Sequence, residues 1–62
     1  MQPQDIIWRL LDRLAEQKRI FEDSHAQLDP KENADLLHAL FECEQLILNQ
    51  RNILNRVRRR YE

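Results

Sequence analysis

Five arginines stand in the last twelve residues and are the most distinctive chemical feature of this 62-residue chain. Guanidinium groups pair with phosphates, so such a cluster could bind a nucleic-acid backbone with salt-dependent affinity. The same cluster suits the end of a helix, where the macrodipole favours cations. We call Arg51, Arg56, Arg58, Arg59 and Arg60 the arginine cluster. Because its last four members spread around a helix, we expect mainly local electrostatics, with nucleic-acid contact as the alternative.

Residues that bind metals or act as nucleophiles are few. His25, His38 and Cys43 are the only histidines and cysteine, and helical spacing places His38 on a different face from the other two. A closed zinc site needs four ligands, which one copy of this chain cannot supply from such a set. Neighbouring carboxylates such as Glu42 and Glu44 diverge on a helix. We expect no enzyme activity, no metal site, no cofactor and no small-molecule substrate.

Composition predicts the elements that carry these residues. The chain has no glycine and only two prolines, Pro3 and Pro30, which disfavours tight turns with positive φ and phosphate-binding loops. Leu, Glu, Arg, Gln and Ala are abundant and favour helix. Sixty-two residues allow one domain, near the lower size limit for folding alone. We therefore predict a single all-α domain over residues 1–62.

The cellular compartment is predicted from cysteine usage and from the lack of sorting signals. Cys43 is the only cysteine, so no disulfide can form within the chain, and a reducing compartment is the simpler expectation. No apolar run approaches the roughly 20 residues of a membrane span. Residues 1–5 lack the basic and apolar regions of a signal peptide. We expect a cytoplasmic protein that does not bind membranes.

Apolar residues recur every three or four positions in two stretches, a pattern typical of amphipathic helices. Between them, Asp29 is a good N-cap and Pro30 a good first helical residue. We predict helices over about 4–28 and about 31–61, which fold antiparallel because their connection is short. The first seam comprises Ile7, Leu11, Leu14, Phe21 and Leu28, with Lys18 and His25 in its gaps. The second seam comprises Leu36, Leu40, Cys43, Ile47, Gln50, Leu54, Val57 and Tyr61.

This hairpin predicts specific neighbours across the seam. Folding about Asp29 and Pro30 places His25 opposite Leu36, and it buries Cys43 as a small apolar residue. The polar seam residues are expected at the edge of the core, where they can also select a register.

Apolar side chains outside the seams indicate association. Burying a large side chain contributes roughly 1.5–3 kcal/mol, whereas ordering one residue costs about 1–2 kcal/mol in backbone entropy. A lone hairpin buries too little to offset that cost, so we expect a homodimeric four-helix bundle, with docking on another protein as the alternative. The expected protein interface comprises Trp8, Leu10, Leu37, Phe41, Leu46, Leu48 and Ile53.

The stretch LDPKENADLLHAL, residues 28–40, resembles the turn and second-helix start of the Rop (Rom) proteins. The shared pattern is Leu-Asp, then Glu, then Ala-Asp, and a Leu four residues after an aliphatic residue. This resemblance implies an RNA-binding hairpin that dimerises into a four-helix bundle. It also implies RNA contact through the outer face of the first helix, where Gln17 matches and Arg13 replaces a central Phe. With the basic terminus included, the candidate nucleic-acid contacts are Arg9, Arg13, Gln17, Arg56, Arg58, Arg59 and Arg60.

These features predict a non-enzymatic protein-interaction module, an adaptor or regulatory subunit that homodimerises and docks a helical surface on a partner protein. Trp8, Phe41 and Leu48 are the expected anchors, and the arginine cluster is expected to orient the partner. One alternative is a Rop-like or other nucleic-acid-binding regulator. Another is a small co-chaperone or accessory subunit that is stable only with its partner protein.

Overall fold

The computed structural model describes residues 1–62 as two long helices joined by a short turn. Helix α1 spans Pro3–Gln27 and helix α2 spans Ala34–Arg58, and a 3-10 turn over Arg59–Tyr61 continues the second helix. There are no strands. The predicted all-α hairpin is therefore confirmed, although α2 begins about three residues later than expected. Neither helix contains an apolar stretch that could cross a lipid bilayer.

Asp29 and Asn33 close the turn between the helices. The Asp29 carboxylate accepts a hydrogen bond from the Lys31 amide at 2.8 Å, and the Asn33 side-chain oxygen accepts one from the Asp29 amide at 3.0 Å. The Asn33 amide also donates to the Asp29 carbonyl at 2.8 Å. The two side-chain bonds compete with helix, and the bond between Asn33 and Asp29 closes a single α-turn, so the turn extends to Asn33 and Ala34 starts the helix. No residue has positive φ, as suits a chain without glycine.

The seam between the helices contains the small core. Ile7, Leu14 and Ile47 are the three buried side chains. Around them lie half-buried apolar residues from both helices, namely Leu11, Phe21, Leu28, Leu37, Leu40, Leu48 and Leu54. The predicted α1 seam is confirmed at every apolar position.

Helix α2 is rotated relative to the prediction. Leu36, Cys43 and Val57 are exposed, and so are the predicted seam positions Gln50 and Tyr61. The expectation that Cys43 is buried is wrong. The physical reason is that α2 has two apolar stripes offset by about one residue, and only one of them can face α1.

Two polar contacts join the helices, and their register is shifted along α2 from the predicted one. His25 Nε2 lies 2.9 Å from Glu44 Oε1, and the His25 ring centroid lies 4.9 Å from that of Phe41. At the other end, the Arg58 guanidinium lies 5.0 Å from the Trp8 ring centroid. His25 therefore contacts Phe41 and Glu44, where the prediction placed Leu36 opposite it.

The hairpin exposes more surface than a compact protein of its mass. Its extents are 46 × 15 × 13 Å, and its accessible area is 5291 Å². A compact monomer of 7.6 kDa exposes about 4,300 Å². The excess is therefore about 1,000 Å², which reflects a molecule only two helices thick.

Candidate interaction surfaces

One broad side of the hairpin carries a group of aliphatic side chains from both helices. Leu10 and Leu14 of α1 and Ile53 and Leu54 of α2 line a common shallow depression, which places the adjoining stripes of both helices on the same side. We call this side the apolar face. Its members are Ile6, Leu10, Ile20, Leu36, Ala39, Cys43, Leu46, Ile53 and Val57.

The apolar face has almost no internal partners. Its Leu, Ile and Val side chains are each between 36% and 59% exposed. Three polar residues interrupt it. Arg13 and Gln50 line the same depression as Leu10, and Gln17 lies beside Ile20. Monomeric proteins rarely expose a contiguous aliphatic surface of this kind, which makes the apolar face a candidate interaction surface.

The opposite side, which we call the aromatic face, carries Trp8, Phe41 and Leu48. Here the apolar groups already have partners within the hairpin. Arg58 covers the Trp8 ring, and its Nε lies 3.2 Å from Glu62 Oε1. Phe41 lies against the His25 ring, and Leu48 is half-buried in a depression shared by both helices. A guanidinium over an indole is a favourable cation–π arrangement that restrains both groups.

The predicted protein-interface residues do not form one surface. The structure places Leu10, Leu46 and Ile53 on the apolar face, Trp8, Phe41 and Leu48 on the aromatic face, and Leu37 half-buried between the helices. The predicted set does not include Ile6 and Ile20, which also lie on the apolar face, and the sequence analysis assigned Leu36, Cys43 and Val57 to the seam. The helical spacing of Ile6, Leu10 and Ile20 could have indicated this stripe from the sequence, because it runs parallel to the α1 seam.

The candidate nucleic-acid contacts fall into two separate groups. Arg56, Arg58 and Arg59 line a polar depression with Asn52 and Asn55 near the end of α2. Arg60 follows them in the terminal 3-10 turn.

The second group lies on α1, at the edge of the apolar face. Arg9 and Arg13 line a depression with Asp12 and Glu16, and Arg13 Nη1 approaches Glu16 Oε2 to 4.0 Å. Gln17 lies next to Arg13. Acidic residues therefore interrupt this group, and it does not continue into the arginines of α2.

Charge is separated along the length of the hairpin. The antiparallel fold brings residues 1–15 beside residues 51–62, and together they hold seven arginines against three acidic residues, a net charge of +4. Residues 16–50 form the other end, with three basic against eight acidic residues, a net charge of −5. We call these the basic end and the acidic end. Of the ion pairs, His25–Glu44 alone links the helices, and the others lie within or just beyond one helix.

The histidines and the cysteine do not come together. His25 contacts Glu44, while His38 lies 3.8 Å from Glu42 on the outer surface. Cys43 is a free thiol on the apolar face. No group of three His, Cys, Asp or Glu side chains converges on a point where a metal ion could sit.

No family model, no curated protein and no solved structure matches this chain. The resemblance of residues 28–40 to the Rop proteins therefore stays an expectation drawn from those residues. The surfaces described above carry the functional proposal.

Proposed function

We propose that this chain is a non-enzymatic interaction module that works as a homodimer. The apolar faces of two hairpins pack against each other and form a four-helix bundle. The observation that carries the proposal is the apolar face itself, a group of exposed aliphatic side chains in a chain with only three buried residues. Such a surface is stabilised by removal from water in proportion to its area.

The large accessible surface area of the hairpin supports the proposal that it binds a partner of its own size. The chain exposes 5291 Å², about 1,000 Å² more than a compact monomer of 7.6 kDa. A standard protein–protein interface covers about 800 Å² on each partner. One interface on the apolar face would therefore cover most of the excess exposed area.

The pattern of the apolar face also suits a bundle. Its stripes lie beside the seam on both helices, so each helix carries an apolar surface wide enough to face two neighbours. Gln17 and Gln50 interrupt the face with side chains that can form hydrogen bonds. Polar residues at such positions select one register of a helical bundle at some cost in stability.

The aromatic face remains available when the apolar face is covered. Trp8 and Arg58 lie together there, and these residue types are enriched among the side chains that dominate binding energy at protein interfaces. We propose that this face docks on a partner protein, with Trp8, Phe41 and Leu48 as anchors, so that the dimer acts as an adaptor or regulatory subunit. The single, unpaired Cys43 is compatible with the reducing conditions of the cytoplasm.

Nucleic-acid binding is the second candidate function. It is favoured by the depression in which Arg56, Arg58 and Arg59 lie with Asn52 and Asn55. Arginine pairs with phosphates, and asparagine can hydrogen-bond to base edges. Affinity of this origin falls steeply with added salt, and replacing these arginines reduces that salt dependence. A titration with duplex and single-stranded oligonucleotides at two salt concentrations tests it, and no binding at low salt excludes it.

The homodimer is tested with a pair of substitutions matched in exposure. Leu46 lies on the apolar face and is 59% exposed, and Phe41 lies on the aromatic face and is 58% exposed. In a two-fold dimer Leu46→Glu places two charges in the interface and removes two buried leucines. We expect the dissociation constant to rise at least about 100-fold. Phe41→Glu, introducing the same charge, should leave the dimer intact.

Sedimentation of the purified chains gives the answer. The unmodified chain should sediment at twice its 7.6 kDa mass, and its melting temperature should rise with concentration. A well-folded species of single mass at high concentration would exclude the homodimer. An unfolded or aggregated chain would instead favour an accessory subunit that needs its partner protein.

A further inference from the structure

We infer that the aromatic face binds an amphipathic helix of a partner protein, one that carries carboxylates at one end and aliphatic side chains along the rest. The carboxylates contact the basic end of the hairpin, and the aliphatic side chains contact Phe41 and Leu48. This inference rests on the proposed docking role of the aromatic face and specifies the chemistry of the partner. It is carried by a stripe of residues on α2 that changes from apolar to basic along its length.

This stripe links the apolar anchors of α2 to the arginine cluster. Phe41, Leu48, Asn52, Asn55 and Arg59 recur every three, four or seven positions, so they lie on the same side of α2 and of the 3-10 turn that continues it. The stripe is about 27 Å long, the length of about five helical turns. Its side chains are apolar at one end, amides in the middle and basic at the other end. A helix that lies along the whole stripe must therefore change in a complementary order.

The basic end of the stripe has cationic groups without partners in the hairpin. Arg56 and Arg59 line the polar depression near the end of α2 and form no ion pair. Arg58 lines the same depression and lies over the Trp8 ring. Guanidinium groups bind carboxylates through paired, charge-assisted hydrogen bonds. An acidic side chain of a partner would therefore find both charged donors and an apolar ring at this end.

Glu62 shows that a carboxylate fits beside these arginines. Its Oε1 lies 3.2 Å from the buried Nε of Arg58, but the two atoms are not aligned for a hydrogen bond. Glu62 is the only acidic residue among residues 51–62, so it cannot also neutralise Arg56 and Arg59. Carboxylates supplied by a partner helix would complete the pairing.

The other end of the stripe distinguishes a protein helix from a nucleic acid. Leu48 lines a depression together with Glu22 and Glu44. Phosphates recur at short, regular intervals along a nucleic acid, so a strand that followed the stripe would bring phosphates against these carboxylates. A protein helix can carry its carboxylates at one end alone and place aliphatic side chains on Phe41 and Leu48. Charge complementarity along the stripe therefore favours a protein partner.

Synthetic helical peptides of about 18 residues, the length of the stripe, test the inference. The acidic peptide carries glutamates in its first two turns and leucines along one side of the remainder. In the neutral peptide glutamine replaces the glutamates, and in the polar peptide glutamine replaces the leucines. Each peptide carries a fluorescein label, and its anisotropy is measured during titration with the unmodified hairpin.

We expect the acidic peptide to bind with a dissociation constant at least about ten-fold lower than that of the neutral or the polar peptide. Equal binding of the acidic and neutral peptides would overturn the inference but leave the docking role of the aromatic face intact. Failure of every peptide to bind would overturn both, while sedimentation reports on the homodimer separately. Tighter binding of a single-stranded oligonucleotide or of phosphatidylserine vesicles than of the acidic peptide would show that the site prefers a polyanion, and would also overturn the inference.

Two adjacent arginines provide a matched pair of variants. Arg59 lies on the stripe, whereas Arg60 does not line the depression. Arg59→Glu should raise the dissociation constant of the acidic peptide at least about ten-fold, and Arg60→Glu, with the same change of charge, less than about three-fold. Arg59→Glu should also improve binding of a peptide in which lysines replace the glutamates. Equal effects of the two substitutions would overturn the inference, because net charge and not the stripe would then determine binding. Circular dichroism must first show that both variants keep their helix content, and Arg59→Gln is used if Arg59→Glu loses it.

Discussion

The two faces of this hairpin both carry apolar side chains but differ in whether those side chains have partners within the hairpin. On the aromatic face, Trp8 lies under Arg58, and Phe41 lies against His25, which is itself bonded to Glu44. On the apolar face, residues such as Leu46 and Ile53 are half or more exposed and have no such partners. The comparison shows that exposure alone does not identify an interface. What distinguishes the apolar face is that nothing within the hairpin covers it.

This difference also explains the division of roles that we propose. Aliphatic side chains are stabilised only by leaving water. In our proposal a second surface of similar shape therefore covers the apolar face. The aromatic face combines apolar rings with charged and amide groups, which remain well solvated without a partner. These compositions are the reason why we propose an obligatory contact on one face and an optional contact on the other.

The largest loss of stability is expected from a substitution in the seam between the two helices, which lies beneath both faces. Ile47 is only 5% exposed, and Ile47→Ala leaves a cavity between the helices. We expect the free energy of unfolding to fall by about 2–4 kcal/mol. Urea denaturation monitored by circular dichroism measures it. A loss below about 1 kcal/mol would mean that the seam collapses around the smaller side chain.

The same substitution on the apolar face sharpens the comparison. Ile53 is 50% exposed in the hairpin, so in an isolated hairpin Ile53→Ala should change the free energy of unfolding by less than about 0.5 kcal/mol. In the proposed dimer this side chain is covered, and we expect a loss of about 1–2 kcal/mol per chain. Denaturation at several protein concentrations separates the two cases, because stability gained by association rises with concentration.

Near the aromatic face, removal of the His25–Glu44 contact should lower the free energy of unfolding by less than the loss of Ile47 does. Glu44→Ala removes the one hydrogen bond between side chains of the two helices and leaves a half-buried imidazole without its partner. We expect a loss of about 1–2 kcal/mol in the free energy of unfolding. Glu42→Ala is the control, since Glu42 meets His38 at 3.8 Å on the exposed surface and should contribute less than about 0.5 kcal/mol. Equal losses from both substitutions would contradict a special role for the His25 contact.

The smallest effect is expected from Arg58→Ala. The loss of the guanidinium over Trp8 should cost about 0.5–1 kcal/mol and should shift the tryptophan emission to longer wavelength as water reaches the ring. Trp8 is the only tryptophan, so its fluorescence reports this site alone. Arg59→Ala serves as the control with the same change of charge. Emission that stays unchanged in the Arg58 variant would show that the guanidinium does not cover the ring in solution.

The hairpin and the α1 seam were predictable because local chemistry determines them. Helix-forming residues dominate both stretches. Asp29 and Asn33 interrupt them through hydrogen bonds within a few residues, and Pro30 does so because it lacks an N–H and disfavours helical geometry in the preceding residue. On α1 the stripe through Ile7 and Leu14 has five apolar residues, against three in the parallel stripe of Ile6, Leu10 and Ile20, and the longer stripe is the buried one. Patterns of this kind depend only on residues that are close together in the sequence, so they can be predicted from the sequence alone.

The α2 seam was predicted one stripe away from where it lies. Leu36, Cys43 and Val57 on one side compete with Leu37 and Leu48 on the other, and both stripes share Leu40, Ile47 and Leu54. Which stripe is buried depends on how well it packs against α1. It also depends on whether Glu44 can contact His25 and Arg58 can contact Trp8. Those contacts join residues far apart in the chain, so periodicity along α2 does not reveal them.

The sequence by itself determined that this protein is two helices with a break at Asp29 and Pro30, a basic tail and more apolar surface than a hairpin can bury. The tertiary structure decided the rotation of α2 about its axis. That rotation placed Leu10, Leu46 and Ile53 on one face and Trp8, Phe41 and Leu48 on the other. The physical reason is that helix formation depends on local hydrogen bonds and capping, whereas the face a helix buries depends on side chains that meet only after the chain has folded back.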